Sequence, residues 1–164
     1  MEINIYFSKM NPQLDAIDLQ ILDLLQEDGR ITIKRMSEIL KLSATPVFER
    51  IKKLEKNGFI KKYVALLNER KLGLKQVIFI NLTLKEHTRS YLEKFVKEVK
   101  EFPEVIECYR ITGNFDFLIK VLVEDIESYE TFILTKLSLL SNLGNVQSHI
   151  ALSEAKNSTK IKLK

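Results

Sequence analysis

Between Leu14 and about Asn57 the apolar positions recur at helical spacing; from Gln76 onward they switch to strands alternating with helices. The stretch LDAIDLQILDLLQEDG predicts a first helix. Asp15 is its N-cap, and Asp18 puts charge where the helix dipole favours it. Ile17, Ile21, Leu24 and Leu25 form one apolar stripe, and Gly29 is the expected left-handed stop. A second helix follows Thr32 as N-cap through IKRMSEILK, with Ile33, Met36 and Leu40 on one face. The third starts at Ser43. Val47, Ile51 and Leu54 repeat at i, i+4 and i+7 and so face the other two helices, and Gly58 ends the run. Pro46 falls in the first turn of this helix, where its missing N–H has no intrahelical partner to lose. Three short helices with a tight Lys-Leu-Ser turn before the third predict a helix-turn-helix unit.

After it, KKYVALL (Lys61 to Leu67) reads as a short strand and Asn68 to Gly73 as a turn-rich connector. QVIFINLTL predicts a strand. SYLEKFVKEVKEF is an amphipathic helix with Leu92, Phe95, Val96 and Val99 on one side, ended by Pro103. VIECYRI and FLIKVLV are strands around a TGNFD turn; IESYETFILTKLSLLSNLG is a helix closed by Gly144; NVQSHIAL is a strand. The order β-α-β-β-α-β is the ferredoxin-like split unit. TKIKLK is expected to add a lysine-rich edge strand. The predicted class is α+β: a helix-turn-helix unit over 14–60, a strand and linker over 61–75, and a ferredoxin-like domain over 76–164. The first nine residues leave two readings open. Either the protein starts at Met10, or INIYF pairs as an extra strand.

Composition narrows the chemistry. The chain has 164 residues, one cysteine and two histidines, with a formal net charge of +4. Cys108 excludes an internal disulfide and a cysteine-based zinc site. His87 and His149 show no metal-ligand spacing. No catalytic set, metal site or cofactor is predicted. No apolar run is long enough to cross a bilayer, and the start is too short and polar for a signal peptide. The expectation is a cytoplasmic protein with no membrane partner.

Local charge then picks out the third helix. Between Lys41 and Lys62 seven cations stand against two carboxylates, an excess of +5 that exceeds the net charge of the whole chain. With Val47, Ile51 and Leu54 inward, a 100° step per residue places Thr45, Glu49, Lys52 and Lys56 opposite, with Arg50 and Lys53 on a flank. Such a face can enter the major groove of double-stranded DNA and meet phosphates at its edges. Small Ser43, Ala44 and Thr45 let the helix N-terminus approach closely. A solvated Lys/Glu helix is the plain alternative. The predicted DNA contacts are Ser43, Thr45, Glu49, Arg50, Lys52 and Lys53.

LDAIDLQILDLLQEDGRI, LSATPVFERIKKLEKNGFIKKYVALLN and TGNFDFLIKV resemble the Lrp/AsnC (feast–famine) transcription regulators, from about Leu14 to the C-terminus. The middle segment is the most specific: Ser-x-x-x-Val-x-x-Arg-Ile-x-x-Leu-Glu, then Gly-x-Ile. The resemblance implies a DNA-binding unit joined to a ligand-sensing, oligomerising domain, with dimers formed through the sheets and octamers assembled from them. It implies an amino acid or related metabolite as effector. It places the recognition helix at Ser43–Asn57, with Arg50 at the usual basic position, and the effector loop at Gly113, Asn114, Phe115, Asp116 and Phe117. Lys41 stands where many relatives have Gly and must take a left-handed turn. Ala44 leaves base preference open, and Asn114 replaces a frequent Asp.

The loop has its own chemistry. Gly113 lets the backbone approach a small molecule, free turn N–H groups can receive a carboxylate, and Asp116 can accept from an α-ammonium. Gly-Asn-x-Asp is equally what a plain hairpin uses. Gln147, Ser148 and His149 near the last strand could line the same cleft, and a plain surface reading is preferred. Two other functions compete. Sirohaem decarboxylases resemble this two-domain plan and use histidines and basic residues around a tetrapyrrole; here histidines are few and no acid–base pair stands out. A sensing module that never touches DNA would need a degraded first domain, and this one is complete.

Overall fold

Asp15 opens the first helix by a reciprocal cap. Its Oδ1 accepts from the Asp18 N–H at 2.8 Å, and its own N–H donates to Asp18 Oδ2 at 3.3 Å. The structure is a computed structural model that describes residues 14–163. The expectations for INIYF and Met10 lie outside them. Helix α1 is Ala16–Glu27, α2 is Ile33–Leu40 and α3 is Ala44–Lys56. Ile21, Met36, Leu40, Val47, Ile51 and Leu54 form their shared core, with Ile17, Leu24 and Leu25 packed beside it. Burial of one such side chain stabilises the fold by about 2 kcal/mol, so the face of α3 that turns inward is strongly specified.

The turn between α2 and α3 depends on Lys41, whose φ of 55° and ψ of 42° are left-handed. That conformation costs a non-glycine residue about 1 kcal/mol. It brings the N–H groups of Lys41 and Leu42 together on Ser37 O, a carbonyl in the last turn of α2. Gly29, expected as a left-handed stop, is not one. Asp28 ends α1 in an extended conformation, and its Oδ1 takes the Arg30 N–H at 2.8 Å, turning the chain by a side-chain contact.

The C-terminal elements are β1 (Gln76–Leu84), α4 (Arg89–Lys100), β2 (Val105–Arg110), β3 (Phe117–Val123), α5 (Ile126–Thr135) and β4 (Leu143–Ile150). The sheet order is β2-β3-β1-β4, with each neighbouring pair antiparallel, as the ferredoxin-like unit requires. Alternation in β1 and β3 sends Ile78, Ile80, Leu82, Leu84, Phe117, Ile119, Val121 and Val123 under the helices. Phe95 and Val99 from α4 and Phe132 from α5 close this core. The opposite face carries no helix among the described residues. There Phe79 stands between Lys120 and His149, and Glu107 takes hydrogen bonds from Tyr109 Oη at 2.7 Å and Lys120 Nζ at 3.2 Å.

Other expectations differ. KKYVALL joins no ladder among the described residues, and Tyr63, Val64, Leu66 and Leu67 are exposed. The connector holds a short 3-10 turn, Glu69–Leu72, capped by Asn68. The helix beginning at Ile126 stops at Thr135 because Lys136 leaves helical geometry (φ −127°, ψ −64°), and a 3-10 turn, Leu137–Leu139, follows. Gly144 lies inside β4, not at a helix end. TKIKLK forms no strand among the described residues. The described residues divide into two compact units, one of residues 67–155 and one that joins residues 14–66 to residues 156–163. Among the described residues no helix is long and apolar enough to cross a membrane.

A Cβ on Gly144 would lie 2.6 Å from Thr83 Oγ1 and 3.0 Å from Thr83 O. Thr83 cannot swing aside freely, because its Oγ1 holds the Asn145 N–H at 2.7 Å. Gly144→Ala should therefore lower unfolding stability by about 1–3 kcal/mol, read as a lower denaturation midpoint in urea.

Candidate functional site

Helix α3 buries Val47, Ile51 and Leu54 and exposes Thr45, Glu49, Lys52 and Lys53 along its other side. Ser43 takes the extended N-cap conformation, yet its hydroxyl makes no cap hydrogen bond. The leading end of α3 thus presents an uncommitted hydroxyl and open N–H groups, the equipment of an anion-binding helix start. Lys52 is placed by a neighbour that charge alone does not reveal. Its Nζ sits 4.3 Å from the centre of the Phe48 ring, and Phe48 is exposed. The ring braces the cation on the outer face. The i, i+4 spacing of the two side chains is the signal in the sequence that points to this pair.

Arg50 is different from its companions. Its Nη1 donates to Asp15 Oδ2 and to Asp18 Oδ1, both at 2.6 Å. The Asp18 side chain is only 5% exposed. A carboxylate so deeply buried needs a cation, and Arg50 supplies it across the gap between α1 and α3. The pair also raises the Arg50 pKa, through the hydrogen bonds to Asp18 and then Asp15. The Asp15 carboxyl falls below the usual range, chiefly because it accepts the Asp18 N–H and secondly because of Arg50. An open groove of about 440 Å³ lies here, lined by Leu14, Asp15, Asp18, Pro46, Glu49, Arg50 and Lys53. The arginine expected to meet DNA thus also ties α3 to α1, through one nitrogen of its guanidinium.

In the second unit the loop between β2 and β3 is exposed at Gly113 and Asn114 and half-buried at Phe115 and Asp116. Gly113 has φ 108°, a conformation open to glycine. Asp116 is already engaged. Its Oδ2 accepts the Leu84 N–H at 2.8 Å and lies 2.9 Å from His87 Nε2, while its N–H donates to Leu82 O at 2.8 Å. These bonds pin the loop to the end of β1 and leave Oδ1 for another donor. His87 joins the site with no warning in the sequence, because nothing in its spacing points to Asp116. Directly after the loop, Phe117 lines an open groove of about 430 Å³ with Leu92, Val96, Cys108 and Arg110. Burial pushes the Cys108 thiol up, away from nucleophile character. Gln147, Ser148 and His149 lie exposed on β4, as a surface reading requires. Among the described residues no three His, Cys, Asp or Glu side chains gather as a metal site.

Two family models match the chain in the order of its two units. Residues 14–61 match a winged helix-turn-helix DNA-binding model, and residues 77–161 match the Lrp/AsnC ligand binding domain. The leucine-responsive regulatory protein of Escherichia coli is 35% identical over 159 residues, covering 96% of this chain and 97% of its own. The chain belongs to the Lrp/AsnC family. Solved relatives agree in shape. A transcriptional regulator of Neisseria meningitidis in complex with L-Met superposes with a TM-score of 0.87 at 33% identity, over 92% of this chain and 97% of that one. An AsnC family regulator of Agrobacterium tumefaciens gives 0.86 at 34% identity, over 91% and 97%. This Lrp/AsnC protein is a DNA-binding transcriptional regulator with a ligand-responsive C-terminal domain, and the tetrapyrrole-enzyme alternative is not favoured.

Arg50→Ala leaves the Asp18 carboxylate of this Lrp/AsnC protein buried without its cation. It should destabilise the helical unit by about 1–3 kcal/mol, measured by chemical unfolding. Acid has a related effect. Asp15 has a folded pKa below its unfolded value, so its stabilising contribution is complete above about pH 4 and disappears as pH falls through the folded pKa. Thermal unfolding of the parent should weaken below about pH 4 more steeply than that of Asp15→Asn.

Proposed function

We propose that the protein is an amino-acid-responsive regulator that reads DNA with α3. The observation that carries the reading is the division of that helix: its apolar side is locked into the three-helix core, and its polar side is free. In this reading Ser43, Thr45 and Glu49 approach base edges and the adjoining backbone, and Lys52 and Lys53 meet phosphates. Arg50 acts one step back, holding α3 against α1 so that the other five arrive together. Winged helix-turn-helix similarity over residues 14–61 supports the placement.

The effector in this reading is an amino acid with an apolar side chain. Relatives named as leucine-responsive and as an L-Met complex support that class. Gly113, Asn114 and Phe115 offer turn N–H groups to its carboxylate, and Asp116 offers Oδ1 to its ammonium. A homodimer forms through the helix-free face of the sheet, around Phe79 and Tyr109, and dimers assemble further to an octamer. A protein of this kind works in the cytoplasm and performs no chemistry of its own.

Selection of bound genomic fragments, repeated with each amino acid, tests the whole reading. A palindromic site whose occupancy shifts with one apolar amino acid is expected; binding that ignores sequence and every amino acid would refute it. Replacing Lys52 and Lys53 by Gln should reduce the slope of log affinity against log salt by about 0.9 for each phosphate no longer neutralised. Affinity should drop by a similar factor for every operator sequence, since phosphate contacts carry no base information.

A further inference from the structure

Helix α1 is the acidic element of the helical unit. It carries Asp15 at its cap, Asp18, Asp23 and Glu27 within, and Asp28 at its end, with no cation among them. Arg50 answers the carboxylates at the first end. The other end is answered by the tail of the chain. Lys160 Nζ lies 2.6 Å from Glu27 Oε1. The Gln26 amide beside it takes the Ile161 N–H on Oε1 at 2.8 Å and gives its own N–H to Ile161 O at 3.2 Å. This pair of hydrogen bonds is the one an adjacent strand would make, formed here by a side chain. Leu163 is half-buried beyond it.

The charge consequence is large. From Leu14 to Leu66 ten cations face eight carboxylates, a net charge of +2. The docked segment from Lys156 to Leu163 contains Lys156, Lys160 and Lys162 and no carboxylate, so the two pieces together carry +5. More than half of that net positive charge therefore arrives from the far end of the chain. The raised pKa of Lys160, due first to Glu27, agrees with a cation held in this field.

We infer that the C-terminal segment is a built-in part of the DNA-binding unit. It docks on α1 through Gln26 and Glu27, cancels that helix's acidic end and supplies lysines that raise affinity for the phosphate backbone. The effect is independent of sequence, because it acts through charge and not through base edges. It rests on the reading that this unit binds duplex DNA. A lysine-rich edge strand on the sheet would have put the same charge elsewhere.

The test uses the full chain and two variants, with operator DNA titrated between low and physiological salt. In the first, Lys156, Lys160 and Lys162 are all changed to Gln, which leaves the backbone pairing with Gln26 intact. Its slope of log affinity against log salt should fall by about 2, and its affinity at low salt by about tenfold, with the preferred sequence unchanged. In the second, Gln26→Ala removes the docking and keeps the lysines. Amide exchange at Ile161 should accelerate, and the salt slope should fall part of the way. A parental slope in the triple-glutamine variant overturns the inference; so does Gln26→Ala with Ile161 exchange and slope both unmoved. If the parent itself binds DNA without salt dependence, the fault lies in the DNA-binding reading and not in the tail.

Discussion

The bond from Arg50 to Asp18 and Asp15 is the constraint on which the N-terminal unit turns. Apolar packing decides which side of α3 faces inward, but apolar surfaces are indifferent to small slides along the helix axis. A guanidinium held by two carboxylates, one of them buried, is not. It fixes where the middle of α3 sits against the start of α1, and so where Ser43, Thr45 and Glu49 emerge. The same two carboxylates cap α1, so helix initiation and helix docking are one arrangement. The arrangement occupies one nitrogen of the Arg50 guanidinium, while the exposed cations of α3 are lysines, whose charge is mobile and less particular.

Most of this architecture was legible. Caps at Asp15 and Thr32, the first-turn Pro46 and the inward set Val47, Ile51 and Leu54 all follow from rules that act over a few residues, and the left-handed Lys41 follows from the resemblance to relatives with Gly there. The strand order follows from alternation and from the β-α-β-β-α-β sequence. What escaped depends on contacts between residues far apart in the chain. Arg50 sits on the flank where periodicity leaves a cation, and only the partner 32 residues away shows why. Asp116 looks like a free acceptor until Leu84 and His87 are beside it. TKIKLK has strand composition, and Gln26 takes its backbone bonds before any sheet does. Gly144 has the look of a helix stop, while its real constraint is the Thr83 side chain on a neighbouring strand.

The two units handle exposure in contrasting ways. The helical unit hides its core residues and presents a charged outer face on α3, with Phe48 exposed among the cations. The sheet unit keeps one face under two helices and leaves the other bare of helix, with Phe79, Tyr109 and Ile106 open to solvent. On that bare face Glu107, Tyr109 and Lys120 satisfy one another, so these polar groups are already paired before anything covers them. A surface prepared in that way loses little hydration when it is buried.

One unit being assembled from both ends of the chain has a practical meaning for chimeras. Grafting residues 14–66 onto a foreign sensor would carry over the reading helix and its arginine clamp. It would leave behind the peptide that Gln26 and Glu27 hold, and with it the lysine that answers Glu27 in the parent. A faithful transplant has to move two separate pieces of sequence, with the borrowed sensor spliced between them.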